Sequence, residues 1–355
     1  MRSRKREPMK ALVLSNYRQL EIAELPKPRP AADELLIRVE ACGICGSDVH
    51  GYDGSTGRRI PPIVMGHEAA GVVEEVGSAV SSFRAGDRVT FDSTVFCGRC
   101  FFCRRGQVNL CDGREVIGVS TPAFRRMGAF AEYVAVPARI AYHLPPEMPF
   151  AHAALIEAVS VAVHAVSLTP IALDDTVLVV GAGMIGLLTL QAAMLAGAGR
   201  VFVIDVDDTR LQLARDLGAT RTFNSLEAGA LAEIMELTAG RGVDAALECV
   251  GTTATVKYAV DLVRKGGTVT LVGNIAPTIE LGLQSVVTRQ IRVQGSCASS
   301  GEYPACIALM SRGAIRVEPL LTAVAPLEDG ADWFRRLYAR EPGLLKVVLQ
   351  PGGAL

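Results

Sequence analysis

Thr176-Val-Leu-Val-Val180 runs straight into Gly181-Ala-Gly183-Met184-Ile185-Gly186, and an apolar helical stretch, Ile185 to Leu195, follows at once. A lone G-x-G-x-x-G is a weak signal that reads equally well as a glycine-rich turn. Between a strand and a helix it acquires a mechanism. The glycines allow a tight turn, close approach of backbone to a pyrophosphate, and close packing of helix on sheet. The helix start then offers free N–H groups and a positive dipole end to the phosphates. Arg200-Val-Phe-Val-Ile-Asp205 is the next strand, and Asp205 stands 19 residues after Gly186. A carboxylate there accepts both ribose hydroxyls of NAD and repels the additional phosphate of NADP. Capping the following helix, its alternative use, falls better to Asp207 or Asp208. The expected cofactor contacts are therefore Gly181, Gly183, Met184, Ile185, Gly186 and Asp205, with Val272 and Gly273 at the end of a later strand. Arg210 either flanks the adenine or sits on the surface.

Outward from this turn, strands and helices continue to alternate. Leu211 to Leu217 is a helix closed by Gly218, and Ala245–Glu248, Gly267–Val272 and Ile291–Gly295 read as further strands. Apolar strands alternating with amphipathic helices specify a parallel sheet covered on both faces. Upstream, Ala151 to Val166 reads as one Ala-rich helix. Before it the chain is β-biased and rich in turns, with short strands at Leu35–Val39, Gly71–Val76 and Arg88–Phe91. After Gly301 mixed structure returns, and Leu344–Leu349 is the expected last strand, packing back on the first domain. The division expected is a tail over 1–8, one domain from 9–158 and 301–355, and a dinucleotide domain over 159–300. With 355 residues the chain is comfortable for two cores.

Lys and Arg number 36 against 37 Asp and Glu, a net charge of −1. That balance gives no footprint for nucleic acid or anionic lipid. The apolar run Leu187–Gly197 is too short for a membrane span and contains Gln191. Residues 1–8 lack a signal-peptide core, so the cytoplasm is the expected compartment.

Of nine cysteines, four are spaced C-x2-C-x2-C-x7-C at Cys97, Cys100, Cys103 and Cys111. Four thiolates on a short loop can close a tetrahedron around zinc and leave no position for substrate, which describes a structural site. A second set is scattered: Cys42-Gly-Ile-Cys45-Gly-Ser47-Asp-Val-His50, then Gly66-His67-Glu68, then Glu157. A catalytic zinc takes mixed S, N and O ligands and keeps one replaceable position. Composition alone does not assemble these residues, since Cys42-x2-Cys45 could be part of a redox motif and each histidine a structural one.

Gly66-His-Glu-Ala-Ala-Gly71-Val-Val-Glu-Glu-Val-Gly77, running on to Gly86-Asp-Arg-Val89, resembles the zinc signature of the medium-chain alcohol dehydrogenase family. The Cys42–His50 segment, the four-cysteine loop and the nucleotide turn stand in that family's order over residues 9 to 350. Glu157, in Leu155-Ile-Glu157-Ala-Val-Ser, resembles the sorbitol and galactitol-phosphate dehydrogenase branch, in which Glu replaces a cysteine. The resemblance implies an α/β fold, a GroES-like β-rich catalytic domain plus a Rossmann doubly wound parallel sheet domain. It implies one catalytic and one structural zinc per chain. The catalytic ion would be held by Cys42 and His67, with Glu68 and Glu157 as close or exchanging ligands. It also implies a proton relay through Ser47 and His50, and NAD-linked oxidation of a polyol's secondary alcohol to a ketone. Zinc would do this by lowering the pKa of the bound alcohol. Threonine-dehydrogenase-like or simple-alcohol specificity is the alternative; a zinc-free, NADPH-binding relative that kept the fold without catalysis is a remoter one, against which intact Cys42, His67, Glu68 and Glu157 argue. Two positions depart from the branch. Ala158 stands where Pro usually follows the glutamate, and Gly295-Ser-Cys-Ala298-Ser lacks the Arg that touches polyol in sorbitol dehydrogenases. Tyr52 and Phe124 are expected pocket walls or core, and Cys45, Cys249, Cys297 and Cys306 small hydrophobes. His143, His152 and His164 are expected to be structural. The expected partners are a small alcohol or polyol and further copies of the chain, as a homodimer or homotetramer paired through the Ile291–Gly295 edge.

Overall fold

The computed structural model describes residues 7–119 and 125–352, so Phe124 and most of the expected tail lie outside the described residues. From the start the chain forms β1 (Pro8–Asn16), β2 (Gln19–Pro26), β3 (Glu34–Gly43), a short helix α1 (Gly46–Gly51), β4 (Ile63–Val64), β5 (Glu68–Val76) and β6 (Arg88–Phe91). There follow β7 (Thr94–Val95), β8 (Glu115–Ile117), β9 (Arg125–Arg126), β10 (Tyr133–Pro137), β11 (Ala141–His143) and helices α2 (Phe150–Ala153) and α3 (Ile156–Ser167). The single helix expected over Ala151–Val166 is thus two, interrupted at Ala154–Leu155. A run apolar on every face offers no periodicity by which to see such a break. Phe150–Ser167 is long and apolar enough to cross a membrane by composition, yet it is split and 61% buried inside the protein.

The next region alternates β12 (Thr176–Val180), α4 (Met184–Leu195), β13 (Arg200–Asp205), α5 (Asp208–Asp216), β14 (Arg221–Asn224) and α6 (Ala230–Leu237). It continues with β15 (Val243–Glu248), α7 (Thr253–Leu262), β16 (Val263–Leu271), α8 (Leu283–Thr288) and β17 (Arg292–Gly295). The chain ends with α9 (Tyr303–Ser311), β18 (Leu321–Pro326), α10 (Gly330–Tyr338) and β19 (Lys346–Gln350).

Two compact units result. One holds residues up to Glu157 together with Tyr303–Ser311 and the chain from Leu320; the other holds Ala158–Glu302 and Arg312–Pro319. Arg312–Pro319 joins the second because the Gln191 amide, buried on α4, bonds both backbone groups of Arg316.

In the first unit β11-β6-β5-β3-β19-β18 form one sheet with β10 also on β3, and β2-β1-β4 form a smaller one. Between them lies an apolar core that includes Leu12, Leu14, Ile37, Cys42, Phe91, Phe130 and Phe334. In the second unit six parallel strands take the order β14-β13-β12-β15-β16-β17, the doubly wound arrangement in which ligands bind at the carboxyl ends beside the first strand. Its strands were legible because sheets buried on both faces read as continuous Val/Ile/Leu runs.

Candidate active site and metal centres

In the Gly181–Gly186 turn the backbone itself demands glycine at the first and last positions. Gly181 has φ +100°, a left-handed conformation that L side chains rarely adopt. At Gly186 an added Cβ would lie 1.7 Å from the Gly181 carbonyl oxygen, so helix and turn could not pack. Gly183 is the N-cap of α4, and a Cβ there would meet nothing within 4 Å. Met184 and Ile185 form the first turn of that helix. Asp205 ends β13. Its Oδ2 accepts from Ala182 N at 2.5 Å, while Oδ1 accepts from Val206 N and Asp207 N at 2.8 and 3.0 Å. Asp207 caps α5, as the sequence suggested, and Arg210 reaches back to it at 3.7 Å rather than inward. Val272 and Gly273 follow β16, both donating to the Glu248 carbonyl. Glu248 was not anticipated: fully buried at the end of β15, its carboxylate ties down Val250 N and Gly251 N.

The sulfurs of Cys97, Cys100, Cys103 and Cys111 all lie within 4.8 Å of one another. Backbone N–H groups of Arg99 and Cys100 pull the Cys97 thiol down to about 6, whereas burial and the neighbouring Cys100 push Cys103 up to about 12. Four crowded thiols cannot all ionise unless a cation shares them, so this donor set suits zinc.

The second cluster corrects the expected sulfur. Cys42 is fully buried in β3 as part of the apolar core, and burial pushes its thiol well up, with Asp48 and Glu68 adding to the effect. The sulfur that meets His67 and Glu68, with ligand atoms all within 4.8 Å, belongs to Cys45. The reason is local geometry. β3 continues through Gly43, opposite Glu68 in β5, and the chain then turns to present Cys45 at the N-cap of α1. Cys42 packs under the turn instead, where a Cβ on Gly66 would come within 2.8 Å of its sulfur. Gly43 makes room for the Glu68 carboxylate, since a Cβ there would meet Glu68 Oε2 at 2.3 Å. Cys45 is therefore no packing hydrophobe.

Around this trio the charges are paired. Asp48, missed by the sequence reading, is fully buried with Oδ2 3.4 Å from His67 Nδ1. Neither atom has another hydrogen-bond partner among the described residues. A carboxylate behind one ring nitrogen leaves the other for a metal. Burial opposes the Asp48 charge, yet His67 and Arg59 hold its pKa at about 2. Lys346, also missed, reaches Glu68 Oε2 at 2.5 Å and the Ile44 carbonyl at 3.0 Å.

Glu157, in the first turn of α3, is half-buried and accepts from Ser93 Oγ at 3.4 Å. Burial pushes its carboxyl up to about 7, with Glu68 and Asp92 raising it and His67 and Lys346 opposing. It lies near the trio without joining it. Ser47 Oγ donates to Cys45 Sγ at 3.3 Å. His50 occupies the last turn of α1, half-buried, its pKa lowered by burial and by Arg340. Tyr52 belongs to the core: it packs against Phe334 and Tyr338 and donates to the Arg18 carbonyl.

Comparison with known proteins identifies the family. Residues 31–146 match the family described as alcohol dehydrogenase GroES-like domain, and residues 185–312 the zinc-binding dehydrogenase family. A sorbitol dehydrogenase from Bacillus subtilis is 37% identical over 97% of both chains. A zinc-binding dehydrogenase from Sinorhizobium meliloti, solved bound to NADP, is 34% identical with TM-score 0.89 over 98% of this chain and 100% of that one. Galactitol-1-phosphate dehydrogenase from Escherichia coli is 30% identical with TM-score 0.88 over 97% and 100%. The chain is an oxidoreductase and belongs to the zinc-containing medium-chain alcohol dehydrogenase family, on the side of its polyol dehydrogenases.

Proposed function

We propose that the protein oxidises a secondary alcohol of a polyol or sugar alcohol, free or phosphorylated, to a ketone with NAD, and runs the reverse reduction. The observation that carries the reading is the convergence of Cys45, His67 and Glu68 in front of a buried Asp48. One thiolate, one imidazole and one carboxylate form the mixed donor set of a catalytic zinc with a replaceable position. Bound there, zinc supplies the Lewis acidity that brings an alcohol's pKa toward neutrality. The set also fits because Asp48 Oδ2 and His67 Nδ1 lack any other partner among the described residues. Cys97, Cys100, Cys103 and Cys111 would hold a second, structural ion.

The chain's own residues handle charge and protons. Asp48 fixes the His67 ring, and Lys346 balances Glu68, so the cluster can take a cation without an excess of negative charge. Glu157, titrating near 7, can take or return a proton close to working pH. Ser47, beside Cys45, and His50 on the same short helix are the groups we assign to carrying the alcohol proton toward solvent.

For the cofactor, Asp205 already draws three backbone N–H groups around the end of β13 and presents a negative carboxylate where a 2′-phosphate would lie. This favours NAD, although the Sinorhizobium relative was solved with NADP. The polyol class rests on the named activities of the relatives, sorbitol and galactitol-1-phosphate dehydrogenases.

The test combines metal analysis with a panel of C4 to C6 polyols, their phosphates, threonine and simple alcohols, each with NAD and NADP. About two zinc ions per chain and NAD-linked turnover of polyols are expected. About one zinc with no turnover would leave a structural loop alone, and threonine or ethanol as the best substrate would move the specificity elsewhere.

A further inference from the structure

Arg59 lies in a turn between α1 and β4, yet it is only 2% exposed. Its Nε and Nη2 both donate to Asp48 Oδ1, at 2.9 and 2.7 Å. Nη2 also donates to Ser47 Oγ at 3.3 Å. The two Asp48 oxygens are therefore divided, Oδ1 taking both guanidinium bonds and Oδ2 facing His67 Nδ1. The Ser47 hydroxyl is divided likewise: its oxygen accepts from Arg59 and its proton points to Cys45 Sγ. A single cation thus sets the orientation of the groups behind two of the three clustered ligands.

The backbone is shaped for this side chain. A Cβ on Gly51 would lie 2.4 Å from Arg59 Cγ, so α1 ends in the one residue that leaves the guanidinium stem room. A buried guanidinium with a planar, fixed fork is the group that can do this; an ammonium would supply charge without dividing the two acceptors.

We propose that Arg59 is the positioning residue of the Cys45–His67–Glu68 metal site, locking Asp48 on His67 and Ser47 on Cys45. It touches neither metal nor substrate and acts through these two neighbours. The inference rests on the metal-site reading above. Outer partners of metal-bound histidine typically carry 10–100-fold of metal affinity.

The experiment follows zinc loss to a chromogenic chelator in the purified parent, in Cys45→Ala, and in Arg59→Met and Arg59→Lys. The parent should release zinc in two phases, and the phase missing from Cys45→Ala belongs to this site. Arg59→Met should accelerate that phase at least tenfold while the four-cysteine phase keeps its parental rate, a control for general loosening of the fold. Arg59→Lys, which retains a cation, serves if the methionine variant does not fold and should also release this zinc several-fold faster. Cobalt exchanged into the site should show a shifted visible spectrum in either variant. Parental release rates and spectra in the folded Arg59 variants would overturn the proposal. Two unchanged phases in Cys45→Ala would instead overturn the metal-site reading beneath it.

Discussion

Lys346 Nζ stands 2.5 Å from Glu68 Oε2, with the two side chains 3% and 1% exposed. Burial disfavours the ammonium, but Glu68 outweighs it and holds the Lys346 pKa above its ordinary value. Removing one partner of such a pair leaves an uncompensated buried charge, which costs about 3–5 kcal/mol. Lys346→Met should therefore destabilise the metal-free protein by about that amount in urea unfolding. Saturating zinc should recover part of the loss, because a cation again faces Glu68. Equal stability of parent and variant without metal would show that the pair contributes nothing.

The two cysteines of the Cys42-x2-Cys45 segment should fail differently. Cys45→Ala is expected to lose one zinc per chain and nearly all turnover, with little change in melting temperature. Cys42→Ala should keep its zinc and its rate, at a stability cost on the order of 1 kcal/mol for a small core truncation. Metal analysis, kcat and thermal melts on both variants decide the matter, and an active Cys45→Ala enzyme would reverse the assignment.

That pair also marks where the sequence stops being legible. The dinucleotide turn was readable because its glycines act on their own local backbone. The four-cysteine loop was readable because its donors lie within 15 residues. Which of two thiols three residues apart faces the cluster depends on where β3 ends, and strand ends are the least readable feature of a chain. Nothing in the Cys42–His50 segment sets Asp48 apart from a solvent-facing aspartate. A buried aspartate on a six-residue helix must have partners, and one of them, Arg59, comes from a Gly/Ser/Thr turn with no periodicity. Lys346 looks like a solvated lysine until β19 pairs with β3 and carries it inside.

Asp205→Ser combined with Val206→Arg should narrow the preference for NAD over NADP, since a carboxylate is removed and a phosphate partner supplied. The check is kcat/KM for both cofactors. Equal use of both by the unaltered enzyme would remove the role given to Asp205.

Glu157→Gln should keep zinc content and melting temperature close to the parent while turnover falls by about 10²-fold or more, the range for a positioned acid–base group. A helix-dipole role alone is worth about 0.3–1 kcal/mol and would leave the rate intact. An unchanged rate with a slightly lower melting temperature would make Glu157 structural.

In the second unit, His164 Nδ1 and Glu302 Oε1 lie 2.6 Å apart. Burial works against the Glu302 charge, but His164 and the Ser300 N–H hold its pKa below the ordinary value. A depressed carboxyl stabilises the fold above its unfolded pKa, about 4.3, and loses that contribution as pH falls through the folded value. Glu302→Gln should thus be less stable than the parent at pH 7, by about 1–2 kcal/mol. The difference should shrink as pH drops below about 4, read from urea midpoints. A gap independent of pH would point to packing rather than charge.

The strand that delivers Lys346 has a consequence for synthesis. Lys346 leaves the ribosome 278 residues after the glutamate it balances. At about 5–20 residues per second that interval is on the order of half a minute. The second unit's six strands come from one unbroken stretch, Thr176–Gly295, and can close as soon as that stretch is out. The first unit must wait. Until β18 and β19 arrive, the Cys42–Gly43 end of β3 is an open edge beside an unbalanced carboxylate, and open edges invite pairing with other chains. The half of the molecule made first is therefore finished last, and it is the half a nascent-chain chaperone would need to shield.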